Sequence, residues 1–286
     1  MHIIVTGANG QVGKELRDLA RNTHGVDFTF LSKEDLPIEN FELVRTLFSI
    51  RKPDVLINCA AYTAVDHAEQ AKDLAFLING EAVGVLAAVC HELRCRFIHI
   101  STDYVFDGAA TVPYRETDFT SPVNTYGASK LEGEEQAFRV NPDAIVVRTS
   151  WVYSSYGKNF VRTMIRLMND KKEISVVDDQ VGSPTYAADL AVALYTIAMA
   201  GQAPGGIYHF ANKGVISWYQ FALAIAGLTR TDCIVHPIPS SAYPTPAKRP
   251  AYSVMDTSRI KETFGIQTRP WQESLADCLK KISTQE

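Results

Sequence analysis

The chain opens with a strand, a glycine turn and a helix in immediate succession. Residues 2–6 are mostly β-branched and apolar, which is typical of a strand buried on both faces. Gly7, Gly10 and Gly13 follow, and residues 14–20 have the pattern of a helix. Glycines here permit a tight turn and let backbone approach a pyrophosphate at the helix N-terminus. The spacing is Gly-x-x-Gly-x-x-Gly, not the Gly-x-Gly-x-x-Gly of the more common dehydrogenases, and in this context it predicts a dinucleotide site.

Strand and helix patterns alternate along the first half of the chain. Further buried strands are expected at residues 26–31, 54–61, 144–150 and the first half of 96–106, with helices at about 41–50 and 73–94 and around Tyr126 and Lys130. Such alternation specifies a doubly wound parallel sheet with right-handed crossovers. The predicted fold class is therefore α/β, of the Rossmann type.

The pattern changes beyond Trp151. Helical stretches at 159–168, 187–199 and 218–226 are separated by loops rich in glycine, proline and aromatic residues. We predict a nucleotide-binding domain over residues 1–150. A smaller, mainly substrate-binding domain is predicted over 151–286, with some segments returning to the first.

Composition excludes several classes of function. The net charge of −4, from 28 basic and 32 acidic residues, argues against a general binder of nucleic acid or anionic membranes. We see no apolar run that approaches the roughly 20 residues needed to cross a bilayer, and no signal-peptide layout. The five cysteines are odd in number and form no Cys-x-x-Cys, so we interpret them as reduced thiols of a cytoplasmic protein.

Tyr126 and Lys130 are candidates for acid-base chemistry. Four residues apart, they lie on the same side of a helix, and a nearby ammonium favours the phenolate and lowers the pKa of a tyrosine. Thr102 falls at the carboxyl end of a predicted strand, where its hydroxyl can bond a substrate oxygen. The alternative interpretation is two solvated helix residues and a threonine that caps the next element.

Three further segments suggest ligand contacts. After the second strand, Ser32 and Lys33 could accept a 2′-phosphate, which favours NADPH, whereas the acidic Glu34 and Asp35 keep NADH as an alternative. Small residues near Ala60 would let a cofactor lie against the backbone, although packing explains them equally. The proline-rich segment 240–250 holds Arg249, which suits a bidentate phosphate contact or a solvated place on a rigid connection.

Taken together, the glycine turn, Thr102 and Tyr126-x-x-x-Lys130 resemble the extended branch of the short-chain dehydrogenase/reductase superfamily. The resemblance extends over essentially the whole chain to the dTDP-4-dehydrorhamnose reductase family. It rests on segments 7–13, 58–66, 101–107, 148–153, 179–185 and 244–250. The family performs the last step in making dTDP-L-rhamnose, so the resemblance implies NADPH-dependent reduction of the C4 carbonyl of a dTDP-sugar.

The resemblance also implies roles for individual residues. Thr102, Tyr126 and Lys130 would be catalytic, with Tyr126 protonating the C4 alkoxide and Lys130 holding the nicotinamide ribose and lowering the tyrosine pKa. The residues predicted to bind the cofactor are Gly7, Gly10, Gln11, Val12, Gly13, Ser32, Lys33, Asp35, Leu36, Ala60, Ala61, Tyr62, Thr63, Tyr126 and Lys130. Those predicted to bind the substrate are Val65, Thr102, Asp103, Tyr104, Phe106, Trp151 and Arg249.

A metal and an assembly are left open by the same resemblance. Some family members bind Mg2+ through glutamates at a dimer interface. Glu15 matches one such position and Asp189 stands at a second, but no third acid can be placed near the C-terminus. The metal is therefore unassigned, and a homodimer is one assembly that the resemblance allows.

Two rival functions share this fold. Dehydratases of the superfamily carry Asp-Glu after the active-site threonine, whereas Asp103-Tyr104 stands here, which disfavours elimination. An epimerase would show no net redox change. A non-catalytic regulatory subunit could lose the tyrosine or the lysine without penalty, but all three catalytic candidates are present.

Overall fold

The computed structural model describes residues 1–284. Its strands are β1 (His2–Thr6), β2 (Asp27–Leu31), β3 (Val55–Asn58), β4 (Arg96–Thr102), β5 (Ile145–Thr149), β6 (Val152–Tyr153), β7 (Glu173–Val177), β8 (Val181–Gly182), β9 (Thr185–Tyr186), β10 (Gly206–Phe210), β11 (Ile216–Ser217) and β12 (Ile234–Ile238). Its helices are α1 (Gln11–Arg21), α2 (Phe41–Arg51), α3 (Val65–Ala68), α4 (Lys72–Phe76), α5 (Ala82–Glu92), α6 (Thr125–Val140), α7 (Phe160–Asp170), α8 (Ala187–Met199), α9 (Trp218–Thr229), α10 (Ser258–Phe264) and α11 (Trp271–Ser283).

A six-stranded parallel sheet in the order β2-β1-β3-β4-β5-β10 forms the centre of the molecule. The chain leaves β1 to one side for β2 and crosses to the other side for β3. Strand order therefore reverses between β1 and β3, and open α/β sheets bind ligands outside the carboxyl ends of the strands at such a point. The predicted Rossmann-type α/β fold is confirmed.

Helices cover both faces of this sheet. Alternate residues of a strand point to opposite faces, so Ile3 and Val5 join one apolar cluster with α1 and α8. Ile4 joins a second cluster with α2, α5 and α6. Fully burying each such side chain contributes roughly 1.5–3 kcal/mol, so packing on both faces stabilises the sheet.

A third cluster lies among α7, α9 and α11, where Phe221 and Leu275 are fully buried. The Lys281 ammonium of α11 donates to Glu15 at 2.6 Å and to Asp18 at 2.7 Å, so an ion-pair network ties this region to α1. The division of the chain at residue 150 stays a prediction. Segments beyond residue 150 do pack on the sheet, since α8, β10 and α10 contribute to its first cluster.

The sequence patterns predict most elements of the sheet but not its last strand. The strands predicted at 26–31 and 144–150 and the helices at 41–50 and 187–199 lie within one residue of the observed ones. β10 was not predicted, because its five residues, Gly206–Phe210, stand between glycine- and proline-containing loops. A π-helical turn at Leu77–Glu81 joins α4 to α5 in the predicted long helix.

The helical run Lys72–Glu92 corrects one expectation. By length and composition it could cross a membrane, whereas no segment was expected to be apolar enough. Most of its apolar stretch is buried inside the protein, where α5 packs against α6 and the sheet. Its apolar character therefore has a structural explanation as a core helix.

Candidate active site

A cleft of about 800 Å³ lies at the carboxyl edge of the sheet, over the point where strand order reverses. Predicted residues that line it are Gly7, Gly10, Gln11, Val12, Gly13, Lys33, Leu36, Ala60, Ala61, Tyr62, Thr63, Val65, Thr102, Asp103, Tyr104, Tyr126, Lys130 and Trp151. One cavity thus gathers segments that are distant from one another in sequence.

The glycine turn forms one end of the cleft. Gly7 has φ of +65°, and a Cβ there would lie 2.6 Å from the backbone of Cys59 and Ala60. Gly10 precedes α1 in an extended conformation, and no side chain of residues 1–284 caps this helix end. The first amides of α1 are therefore free to bind an anion, which fits the pyrophosphate of a dinucleotide.

Helix α6 is fixed at its N-terminus by side chains and by a close backbone contact. The Asn124 side chain accepts from the Gly127 amide at 2.7 Å, and the Glu69 carboxylate accepts from the Thr125 amide at 2.7 Å. A Cβ on Gly127 would lie 2.1 Å from the Tyr104 carbonyl oxygen, so only glycine permits this approach. These contacts set Tyr126 against the end of β4.

Tyr126 is half-buried and packs edge-to-face with Tyr104, with 5.7 Å between ring centroids. Burial raises the pKa of Tyr126 to about 12, although the Thr102 hydroxyl partly offsets this. The predicted lowering of the tyrosine pKa is therefore wrong, since the pKa is raised. A phenol with this pKa is protonated at neutral pH, and so it is a proton donor.

Lys130 is almost fully buried beneath the cleft. Its Nζ donates to the Ile100 carbonyl at 2.7 Å and lies 3.1 Å from His99 Nε2. Burial lowers the pKa of Lys130 to about 8, while Glu134 and Cys59 act in the opposite direction.

The Glu134 carboxylate is held from below by Arg148. Arg148 Nη2 donates to Glu134 Oε2 at 2.6 Å, and both side chains are 2% exposed. A buried charge needs such a partner. This ion pair therefore joins α6 to β5, one helical turn after Lys130.

Thr102 and Asp103 place polar groups at the end of β4. The Thr102 hydroxyl donates to Asp103 Oδ1 at 3.0 Å and accepts from the Tyr104 amide at 3.2 Å. Burial raises the pKa of Asp103 to about 7. Asp103 Oδ2 and Ser101 Oγ are buried and find no hydrogen-bond partner within residues 1–284.

Two stacked tryptophan side chains form another wall of the cleft. The rings of Trp151 and Trp218 lie 3.6 Å apart and nearly parallel. Trp151 has φ of +48°, a strained conformation for a bulky residue that recurs at functional sites. Trp218 was not predicted, because a tryptophan at the start of a helix carries no sequence signal for a cleft. Other lining residues that the sequence analysis did not single out include Asn9, Ile38, Glu39, Ile78, Gly157 and Lys158.

Among the described residues, four of the predicted ones do not line the cleft. Ser32 and Asp35 bond one another, since the Ser32 amide donates to Asp35 Oδ2 at 2.9 Å and the Asp35 amide donates to Ser32 Oγ at 3.3 Å. Phe106 is fully buried and stacks on Tyr114 with 4.1 Å between centroids. A direct substrate contact by Phe106 is therefore not supported.

Arg249 is the fourth of these residues. Its guanidinium donates to both carboxylate oxygens of Asp66, at 2.9 and 3.1 Å, and lowers the pKa of that carboxyl. The Asn124 amide also donates to the Lys248 carbonyl at 2.8 Å, which joins the same segment to α6. Arg249 is therefore held by an ion pair and is not freely solvated, while a phosphate contact by Arg249 stays a prediction.

The acidic positions considered for Mg2+ are already paired. Glu15 accepts from Lys281 and from Ser154, while Asp189 accepts from Asn212 and Arg269. Within residues 1–284 no group of three or more His, Cys, Asp or Glu side chains is placed to hold a metal ion. Within one chain both acids therefore serve internal contacts, and Mg2+ stays unassigned.

The fold and the cleft define a class of protein. A parallel Rossmann sheet, an uncapped helix N-terminus behind a glycine turn, and Thr102, Tyr126 and Lys130 in the same cleft describe a nucleotide-binding protein of the short-chain dehydrogenase/reductase type.

Comparison with known proteins identifies the family. The sequence model of the RmlD substrate binding domain matches residues 1–284. A dTDP-4-dehydrorhamnose reductase of Burkholderia thailandensis is 44% identical, over 100% of both chains. The chain belongs to the dTDP-4-dehydrorhamnose reductase family.

Solved structures agree. A dTDP-4-dehydrorhamnose reductase of Clostridium acetobutylicum superposes with a TM-score of 0.94 at 43% identity, over 99% of this chain and 100% of that one. The enzyme of Bacillus anthracis, solved in complex with NADP, superposes with a TM-score of 0.93 at 38% identity, over 98% of this chain and 99% of that one.

Proposed function

We propose that this chain reduces the C4 carbonyl of dTDP-4-dehydro-L-rhamnose to give dTDP-L-rhamnose, with NADPH as the reductant. The observation that carries the proposal is one cleft that joins a free helix N-terminus to a protonated tyrosine, in a member of this family. Carbonyl reduction needs a positioned hydride donor, a proton donor and hydrogen bonds to the developing oxyanion.

The cofactor, when bound, would supply the hydride for C4. Tyr126 supplies the proton that reaches the carbonyl oxygen. The Thr102 hydroxyl, whose hydrogen is donated to Asp103 Oδ1 in this structure, would rotate to donate it to that oxygen and so orient the carbonyl. A phenol with a pKa of about 12 is a suitable donor to an alkoxide, which is a stronger base. The product alcohol thus gains one hydride and one proton.

Lys130 would hold the nicotinamide ribose, and the lining residues divide between two ligands. Residues proposed for the cofactor are Gly7, Gly10, Gln11, Val12, Gly13, Lys33, Leu36, Ala60, Ala61, Tyr62 and Thr63. Residues proposed for the sugar nucleotide are Val65, Asp103, Tyr104 and Trp151, with Trp218 extending the apolar wall. The NADP complex of the related structure supports NADPH over NADH.

The proposal also includes a cellular location. All five cysteines are free thiols, which is consistent with a reducing cytoplasm. A homodimer stays a prediction.

The test is a coupled observation of cofactor and product. Purified protein is mixed with NADPH and enzymatically generated dTDP-4-dehydro-L-rhamnose, and NADPH absorbance is followed while the sugar nucleotide is identified by mass. We expect one NADPH oxidised for each dTDP-rhamnose formed. Interconversion of sugar epimers without NADPH loss would indicate an epimerase. Cofactor binding with no turnover would indicate a regulatory subunit.

A further inference from the structure

Four buried polar side chains form a continuous row beneath the cleft. Thr6, Asn58 and His99 are paired in register across β1, β3 and β4, and Lys130 of α6 continues the row. All four are at most 2% exposed. The proposed reaction explains Lys130 but gives the other three no role.

The orientation of the Asn58 amide is fixed by a backbone group. The Ala60 N–H donates to Asn58 Oδ1 at 3.2 Å, and the Thr6 hydroxyl donates to the same oxygen at 2.6 Å. Because a backbone N–H can only donate, the oxygen must face it. The amide nitrogen Nδ2 therefore faces His99 Nδ1, at 2.9 Å.

This orientation determines the tautomer of His99. Asn58 Nδ2 carries only donors, so His99 Nδ1 must accept. Burial holds the pKa of His99 well below its usual value, so the ring is neutral and its single hydrogen lies on Nε2. That N–H points at Lys130 Nζ, 3.1 Å away. An ammonium has no lone pair, so only a neutral amine can accept this hydrogen bond.

We propose that His99 is a positioning residue that, locked as its Nε2–H tautomer by Asn58 and Thr6, holds Lys130 as a neutral amine in the cofactor-free protein. Lys130 then accepts from His99 and donates to the Ile100 carbonyl. It becomes charged when an anionic cofactor enters the cleft. This last step rests on the proposed function, whereas the tautomer does not.

The charges around Lys130 are consistent with a neutral amine. Burial lowers its pKa to about 8 even though the Glu134 charge opposes this. An N–H donor aimed at Nζ also favours the neutral amine, because it stabilises only the unprotonated form. Glu134 on α6 favours the charged form of Lys130, but its carboxylate is already paired with the Arg148 guanidinium of β5. Tyr126 on α6 and the Cys59 thiol after β3 are neutral below about pH 11, since burial raises the pKa of each to about 12.

The first experiment observes the tautomer directly. The protein is labelled with 15N-histidine, and long-range proton–nitrogen spectra are recorded without cofactor between about pH 8.5 and pH 9.5, above the pKa of Lys130. The His99 signals are assigned by their absence in His99→Gln. We expect an unprotonated Nδ1 and a protonated Nε2 throughout. A protonated Nδ1 would mean that a charged Lys130 donates to Nε2, and it would overturn the proposal.

The second experiment uses a nearly isosteric substitution to reverse the direction of the hydrogen bonds at His99. In Asn58→Asp the carboxylate can accept from Thr6, Ala60 and a His99 Nδ1–H, so the tautomer should switch and Lys130 should become charged. Proton exchange on cofactor binding is measured by titrating NADP+ calorimetrically at about pH 8 in buffers of different ionisation enthalpy. We expect wild type to take up on the order of one proton per cofactor, and Asn58→Asp to take up close to none.

The outcomes separate the two claims. NADP+ binding by wild type with no proton uptake would contradict the charge switch on Lys130, even if turnover is normal. Proton uptake together with the expected tautomer, but without reduction of the keto-sugar, would leave the His99 proposal intact and remove the proposed function. If Asn58→Asp does not fold, the wild-type spectrum still decides the tautomer.

Discussion

Tyr126 combines two properties that a reductase needs in a proton donor. It reaches the cleft, and its buried surroundings keep it protonated at neutral pH. The sequence predicts the first property through the four-residue spacing to Lys130. It gives the wrong direction for the pKa, because desolvation depends on residues such as Tyr104 that only the fold brings alongside.

Tyr126→Phe should retain the fold and the affinity for NADPH, because it removes one hydroxyl and keeps the ring packing. Turnover should fall by about 10²–10⁴-fold, the usual contribution of a general acid. Steady-state kinetics and NADPH fluorescence titration measure the two effects. Tyr195→Phe is the matched control, a half-buried tyrosine outside the cleft, and should be unaffected. Turnover near that of wild type would remove Tyr126 from the mechanism.

Lys33→Ala should narrow the preference for NADPH over NADH. Lys33 is the cation of the loop after β2 that lines the cleft, next to Glu34 and Glu39, which repel a 2′-phosphate. We expect the kcat/KM for NADPH divided by that for NADH to fall about tenfold, which corresponds to a loss of roughly 1.4 kcal/mol of binding free energy. In the control Lys172→Ala this ratio should not change. An unaltered ratio would show that another residue recognises the phosphate.

At the scale of elements, the packing of the N-terminus of α6 against the end of β4 determines where Tyr126 lies. Gly127 allows the helix to touch the Tyr104 carbonyl, and Asn124 caps it. Sequence patterns place this helix and its catalytic residues, since periodicity and spacing are local signals. They do not predict β10 or Trp218, because those depend on pairing with β5 and stacking on Trp151, which are distant in sequence.

Gly127→Ala should displace α6, since the new methyl would lie 2.1 Å from a carbonyl oxygen. We expect a loss of roughly 1–3 kcal/mol in the free energy of unfolding and at least a tenfold fall in kcat. Gly227→Ala is the control. A Cβ there meets no atom within 4 Å in the exposed part of α9, and alanine should stabilise that helix by about 0.5–1 kcal/mol. Equal effects of the two changes on kcat would contradict the role of this close approach.

For the whole molecule, the site imposes a stability cost. The sheet buries Lys130 beneath the cleft, and burial lowers its pKa from 10.5 to about 8. The unfolded chain therefore binds more protons than the folded one between these two values. Where that is so, stability rises with pH. Burying Lys130 therefore lowers the free energy of unfolding at neutral pH, a loss of stability that is common where a residue serves function.

Wild type should therefore gain stability relative to Lys130→Met as the pH rises. Between about pH 7 and pH 9.5 the gain should be about 2 kcal/mol, because each unit of pKa difference corresponds to about 1.4 kcal/mol. Urea denaturation of both proteins at the two pH values measures this gain. Taking, for each protein, the difference in the free energy of unfolding between the two pH values cancels any change in packing that the substitution causes. A difference between the proteins that does not change with pH would mean that Lys130 titrates normally.

The most direct test of the reductase account follows the hydride itself. NADPH carrying two deuterons at the nicotinamide C4 is mixed with the protein and dTDP-4-dehydro-L-rhamnose, and the product is examined by NMR and mass spectrometry. The account predicts one deuteron per dTDP-L-rhamnose, bonded to C4 of the sugar. A product without deuterium, or with deuterium at another carbon, would contradict it.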